Sequence, residues 1–195
     1  MASGYAIALR EREACDGLVA DIINAHGSLD VLVNNAGVNI RKRPEEYDES
    51  EIHEVLETDL LVPFHLSVAA YLACMRERGG KIINVGSLLS EFGGAQFSAY
   101  AAAKGGLLQL TRSFAVAWAP DNVQVNAILP GWIDTDLTVS AREQVPGLNE
   151  KVVDHTPAGR WGRPHDFMKA VVFLAGPGSE FVNGSAITVD GGYGV

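Results

Sequence analysis

Tyr100 and Lys104 stand four residues apart, separated by three alanines, and Ser87 lies thirteen residues before the tyrosine. A helix through residues 100–104 puts the phenol and the ammonium on one face. A nearby ammonium favours phenolate over phenol, so the spacing predicts a Tyr100 pKa lowered from about 10 towards the working range of a general acid/base. A hydroxyl at the end of a neighbouring strand, such as Ser87, would hold a carbonyl oxygen against that phenol. The same residues also suit an ordinary exposed helix face, so their surroundings decide.

Those surroundings alternate between two periods. Residues 12–25 carry apolar side chains at Ala14, Leu18, Val19, Ile22 and Ile23, a helical stripe. Residues 29–34 are a nearly continuous apolar run and read as a buried strand. A long helix is expected over 48–78, with Ser50 as N-cap and Gly79-Gly80 as its stop. Residues 81–86 read as the next buried strand, with Ser87 at its carboxyl end. The helix over 98–118 carries Tyr100 and Lys104, and Pro120 closes it. Further strands are expected over 123–129 and 185–189, with a helix over 164–175 between them. The short apolar run over 5–9 fits either type. Strands that are apolar on both faces and alternate with helices predict an α/β fold with a parallel sheet covered on both sides. No linker or repeat divides residues 1–195, which are read as a single domain.

Composition narrows the function classes. The net charge is -9 and 47% of the 195 residues are hydrophobic, a globular balance. The one cationic cluster, Arg41-Lys42-Arg43, is short and followed by acids, which argues against a nucleic-acid partner. Cys15 and Cys74 lack metal-ligand spacing and read as reduced cysteines, so no metal site is expected. No signal-peptide layout and no apolar run long enough to span a membrane is seen, so a cytoplasmic chain without a membrane partner is expected.

Open parallel sheets bind ligands beyond the carboxyl ends of their strands. Asn34-Asn35-Ala36-Gly37 follows one strand, Ser87 the next, and Pro130-Gly131-Trp132-Ile133-Asp134-Thr135 a third. Each is also a common strand terminator, but together they converge on one rim.

With these motifs in this order, and with the terminal Val189-Asp190-Gly191-Gly192-Tyr193, the chain resembles the short-chain dehydrogenase/reductase family over about residues 11–195. The run from Thr156 to Pro164 further resembles members acting on sugars, polyols and aldonic acids, such as gluconate-type dehydrogenases; 3-oxoacyl-carrier-protein reductases share much of it. The resemblance implies a doubly wound, Rossmann-like fold and an NAD or NADP cofactor. It implies that Tyr100 exchanges a proton with an alcohol or carbonyl substrate, that Lys104 lowers its pKa and holds the nicotinamide ribose, and that Ser87 orients the substrate oxygen. Asn34, Ala36 and Gly37 would line the adenosine ribose, and Pro130, Gly131, Ile133 and Thr135 the nicotinamide side, next to Tyr100 and Lys104. Trp132, His155 and Trp161 are candidates for a substrate wall or for packing. The helices over 48–78 and 98–118 would pair with their copies in a homodimer or homotetramer.

Two departures stand out. Asp59 occupies a place where the family usually has an asparagine beside the catalytic set, and its charge would compete for Lys104. The glycine-rich turn of TGxxxGxG type, which brings backbone N–H groups and a helix end to the pyrophosphate, has no counterpart before Asn34, where only Gly4, Gly17 and Gly27 occur. The chain is therefore expected to be an N-terminally truncated Rossmann-like fold. The strand over 29–34 would be an exposed edge, covered at best by residues 5–9. Cofactor affinity would fall, since charge-assisted hydrogen bonds contribute roughly 1.5–3 kcal/mol each. Three readings remain open: an oxidoreductase, an inactive remnant that keeps its association surface, and an unrelated binding module on the same scaffold.

Overall fold

The computed structural model describes residues 3–9 and 11–195. Four strands, β1 (Val31–Asn34), β2 (Gly80–Val85), β3 (Val123–Pro130) and β4 (Ala186–Val189), form one parallel sheet in that order. Their register sets Asn34 beside Asn84, Val85 beside Ile128 and Pro130 beside Val189. All four carboxyl ends thus lie along one rim. β3 is buried from Val123 through Leu129, so both faces of the sheet need cover.

The helices provide it. α1 (Arg12–His26) ends at Gly27, whose left-handed backbone lets its N–H reach Ile23 O at 2.7 Å. α2 (Glu49–Arg78) is one continuous helix with two stretches wound more widely than an α-helix, Glu57–Leu61 and Tyr71–Met75. Its N-cap is Asp48 rather than Ser50. The Asp48 carboxylate accepts from Glu51 N at 3.0 Å, Glu51 accepts from Asp48 N at 3.1 Å, and Ser50 only donates to Asp48. α3 (Ser98–Trp118) lies beside α2. Ile82 and Val125 meet Ala70, Met75, Phe114 and Trp118 on this face. α6 (Met168–Ala175) covers the other face, where Leu174 packs on Ile83 and Ile128.

Three expectations change. Residues 5–9 form no strand, and among the described residues β1 pairs only with β2. Leu9 instead packs against the cluster of Cys15, Val19, Val62 and Leu66, because α1 offers it apolar cover that a lone strand edge does not. Residues 136–155 hold two helices, α4 (Asp136–Gln144) and α5 (Leu148–His155), where no element was expected. By length and composition alone α2 could cross a membrane; here it is a core helix, with Val62, Ala70 and Met75 buried and Asp59 near its middle.

Candidate active site

β2 ends at Val85 and turns at Gly86, where a methyl group would lie 2.6 Å from the Leu129 side chain. That tight turn aims Ser87 at α3. The Ser87 Oγ accepts from Leu89 N at 3.1 Å, and Ser90 Oγ accepts from Ser87 N at 3.2 Å, which fixes the loop. Tyr100 sits in the first turn of α3, facing the Ser87 hydroxyl. Lys104 lies one turn on, buried, with Nζ 5.6 Å from the Tyr100 ring centre and donating to Val85 O at 3.0 Å. Behind it is Asp59, with no exposed surface, whose Oδ1 accepts from Val38 N at 2.9 Å.

The electrostatics overturn one expectation. Burial, and then the Asp59 carboxylate, push the Tyr100 phenol up to about 12; the Ser87 hydroxyl and the Arg41 guanidinium oppose this only in part. Lys104 does not bring the phenol down. Burial lowers the lysine's own pKa, and Asp59 partly offsets that. Burial raises Asp59, against the pull of Lys104 and the Val38 N–H. Desolvation outweighs the four-residue spacing because Lys104 is buried and Tyr100 is half-buried against it.

The site opens into a cavity of about 550 Å³. From β1 the chain runs along its wall so that Val33, Asn35, Gly37, Asn39 and Arg41, every second residue, line it. Ser87, Tyr100 and Lys104 line the opposite wall, and Pro130, Gly131, Trp132, Ile133 and Thr135 the third. Asn34 and Ala36 do not line it. Asn34 Nδ2 turns inward to Asn84 Oδ1 at 2.8 Å and Ser67 Oγ at 3.1 Å, and Asn84 passes the chain on to Thr111 at 2.9 Å. The side chain expected at the adenosine ribose instead ties the sheet to α2 and α3. Of Trp132, His155 and Trp161 only Trp132 lines the cavity, together with Tyr193; Trp161 and Tyr193 meet Trp132 edge-on at 5.6 and 6.5 Å, and His155 supports Tyr193 at 4.6 Å.

Arg41 and Asn39 were missed as site residues. Lys42 pairs with Glu51 and Arg43 with Glu45, whereas Arg41 has no ion pair among the described residues. Arg41 Nε and Asn39 Oδ1 are buried without hydrogen-bond partners. The alternation that begins at Val33 was the signal that could have found them.

The wall residues suit the nicotinamide end of a dinucleotide. Gly37 leaves its side of the cavity bare, since a methyl group there would lie 2.9 Å from Asp59 Oδ1 and 3.4 Å from Lys104 Nζ. Gly131 packs so tightly that a methyl group would come within 2.7 Å of Asp190 Cα. Hydroxyl, phenol, ammonium and guanidinium thus surround one cavity, a set able to bind a polar, anionic small molecule and exchange a proton with its oxygen.

The chain is similar in sequence and fold to known proteins. The family model described as enoyl-(acyl carrier protein) reductase matches residues 3–194. A 2-dehydro-3-deoxy-D-gluconate 5-dehydrogenase of Formosa agariphila is 38% identical over 191 residues, 98% of this chain and 72% of the relative. A 3-oxoacyl-[acyl-carrier-protein] reductase of Vibrio cholerae is 35% identical over 97% of this chain and 76% of its own length. A gluconate 5-dehydrogenase from Burkholderia cenocepacia, solved with NADP and tartrate, superposes with a TM-score of 0.91 at 33% identity, covering 95% of this chain and 72% of that one.

Proposed function

The chain belongs to the short-chain dehydrogenase/reductase family, and from that premise we propose that it is an NAD(P)-dependent oxidoreductase interconverting an alcohol and a carbonyl on a sugar acid. The observation that carries the substrate class is Arg41, a guanidinium without an ion pair among the described residues, lining the cavity beside Tyr100. A carboxylate on the substrate supplies the partner it lacks, in a charge-assisted hydrogen bond. Ser87 holds the reacting oxygen and Tyr100 exchanges its proton with it.

NAD or NADP would lie with its nicotinamide end against Lys104, Gly131, Ile133 and Thr135 and supply the hydride chemistry when bound. Gly37 lies on the path towards its ribose and phosphates. Leu61, Phe64, Leu72 and Val116, exposed on α2 and α3, support a homo-oligomer built on those helices. Free Cys15 and Cys74 support a cytoplasmic location.

The test is oxidation at saturating NAD or NADP of an aldonic acid against the polyol of equal length. Preference for the acid, lost in Arg41→Met, supports the reading; equal use of both substrates sinks the sugar-acid assignment.

A further inference from the structure

Asp59 and Lys104 come from different helices, α2 and α3, and flank Gly37 behind the site, more than 4 Å apart, with Lys104 hydrogen-bonded to Val85 O. Asp59 is fully buried and Lys104 nearly so. Both face Gly37, within 2.9 and 3.4 Å of where a methyl group on it would lie. Asp59 Oδ1 is held by Val38 N, whereas Oδ2 has no hydrogen-bond partner. The other ionisable groups facing this pair are Tyr100, on α3, and Arg41, from the extended wall. A buried carboxylate with a spare oxygen and a buried ammonium are each costly alone and tolerable as partners.

Resting on the reading of Tyr100 as the acid/base group, we propose that Asp59 is the buried counter-ion of Lys104, balancing the ammonium inside the helix pair so that Tyr100 keeps its proton and acts as a donor to a carbonyl. Asp59 touches neither substrate nor cofactor; it is a positioning residue that sets the charge around the phenol. A neutral side chain at this place would leave the ammonium free to stabilise phenolate, the form that accepts a proton from an alcohol. Asp59 therefore biases the site kinetically towards reduction near neutral pH and moves oxidation to alkaline pH.

The experiment needs no cofactor. Phenolate absorbance is titrated in the unaltered chain and in Asp59→Asn, and the titration of each background carrying Tyr100→Phe is subtracted to isolate Tyr100. Folding is followed at every pH by circular dichroism. Tyr100 is expected to titrate near 12 in the unaltered chain and at a proton concentration at least about tenfold higher in Asp59→Asn. Equal midpoints overturn the proposal. Should Asp59→Asn not fold, the carboxyl carbon-13 shift of Asp59 decides in the unaltered chain: an ionised group at neutral pH supports the counter-ion, and a protonated one overturns it. A chain without dehydrogenase activity would fail the functional reading, while these titrations would still decide the role of Asp59.

Discussion

Along the carboxyl rim, the stretch from Ser87 to Lys104 is gripped by β2, α2 and α3, whereas the stretch leaving β1 borders a strand that pairs on one side only among the described residues. The first holds its polar groups by burial: Lys104 is 3% exposed and hydrogen-bonded to Val85 O. The second holds its line through a polar chain, Asn34 to Asn84 to Thr111, while Val33 is 41% exposed. The difference teaches that proton chemistry and substrate binding are separable here. Lys104 and Asp59, behind the phenol, are buried, whereas the wall that carries Arg41 borders a strand with one partner among the described residues.

The comparison breaks most directly on Tyr100. Tyr100→Phe keeps the packing and removes the proton, so kcat should fall by about 10²–10⁴-fold with the melting temperature little changed. An unaltered kcat would move the acid/base chemistry elsewhere. Arg41→Met tests the β1 side of the same cavity. Loss of one charge-assisted hydrogen bond, about 1.5–3 kcal/mol, should raise KM for a sugar acid by about 10–100-fold and spare kcat. A loss in kcat alone would assign Arg41 to Tyr100 rather than to substrate.

Asn84→Ala probes what holds the edge. It strips partners from Asn34 and Thr111 inside the sheet–helix interface, and urea unfolding should show a loss of about 1–3 kcal/mol. A neutral outcome would mean that the edge is held by its apolar contacts. The smallest effect lies at the rim's third part, where Arg160 clamps Asp166 through two hydrogen bonds. These hold the Asp166 carboxyl down to about 2. A carboxylate with a depressed folded pKa contributes stability that is present above its unfolded value and lost as pH falls from about 4 to about 2. Thermal melts of Asp166→Asn should show a small loss of stability at neutral pH that vanishes towards pH 2, and so a shallower decline over that window.

Much of this rim was legible in the sequence, and the rest was hidden for physical reasons. The strands ending near Asn34, Val85 and Pro130 announced themselves as apolar runs, and Ser87, Tyr100 and Lys104 followed from spacing. Arg41 was masked inside a cationic triplet because only the fold shows that Lys42 and Arg43 are already paired. Asn34 and Asn35 differ in nothing but the face they take, and Asn84, fifty residues away, decides it. The direction of the Tyr100 shift was misread because spacing reports a neighbouring charge while burial reports the whole surrounding structure. α5 carries Leu148 and buried Val152 one turn apart, a stripe too short to stand out; α4 is fixed by Thr138, which accepts from Thr135 N at 3.0 Å and donates to Thr135 O at 2.9 Å.

That Arg41 selects a sugar acid for Tyr100 is tested most directly by the kinetics of Arg41→Met at saturating NAD or NADP, with an aldonic acid and with the polyol of equal length. KM is expected to rise by about 10–100-fold for the acid alone, and equal rises for both substrates would contradict it.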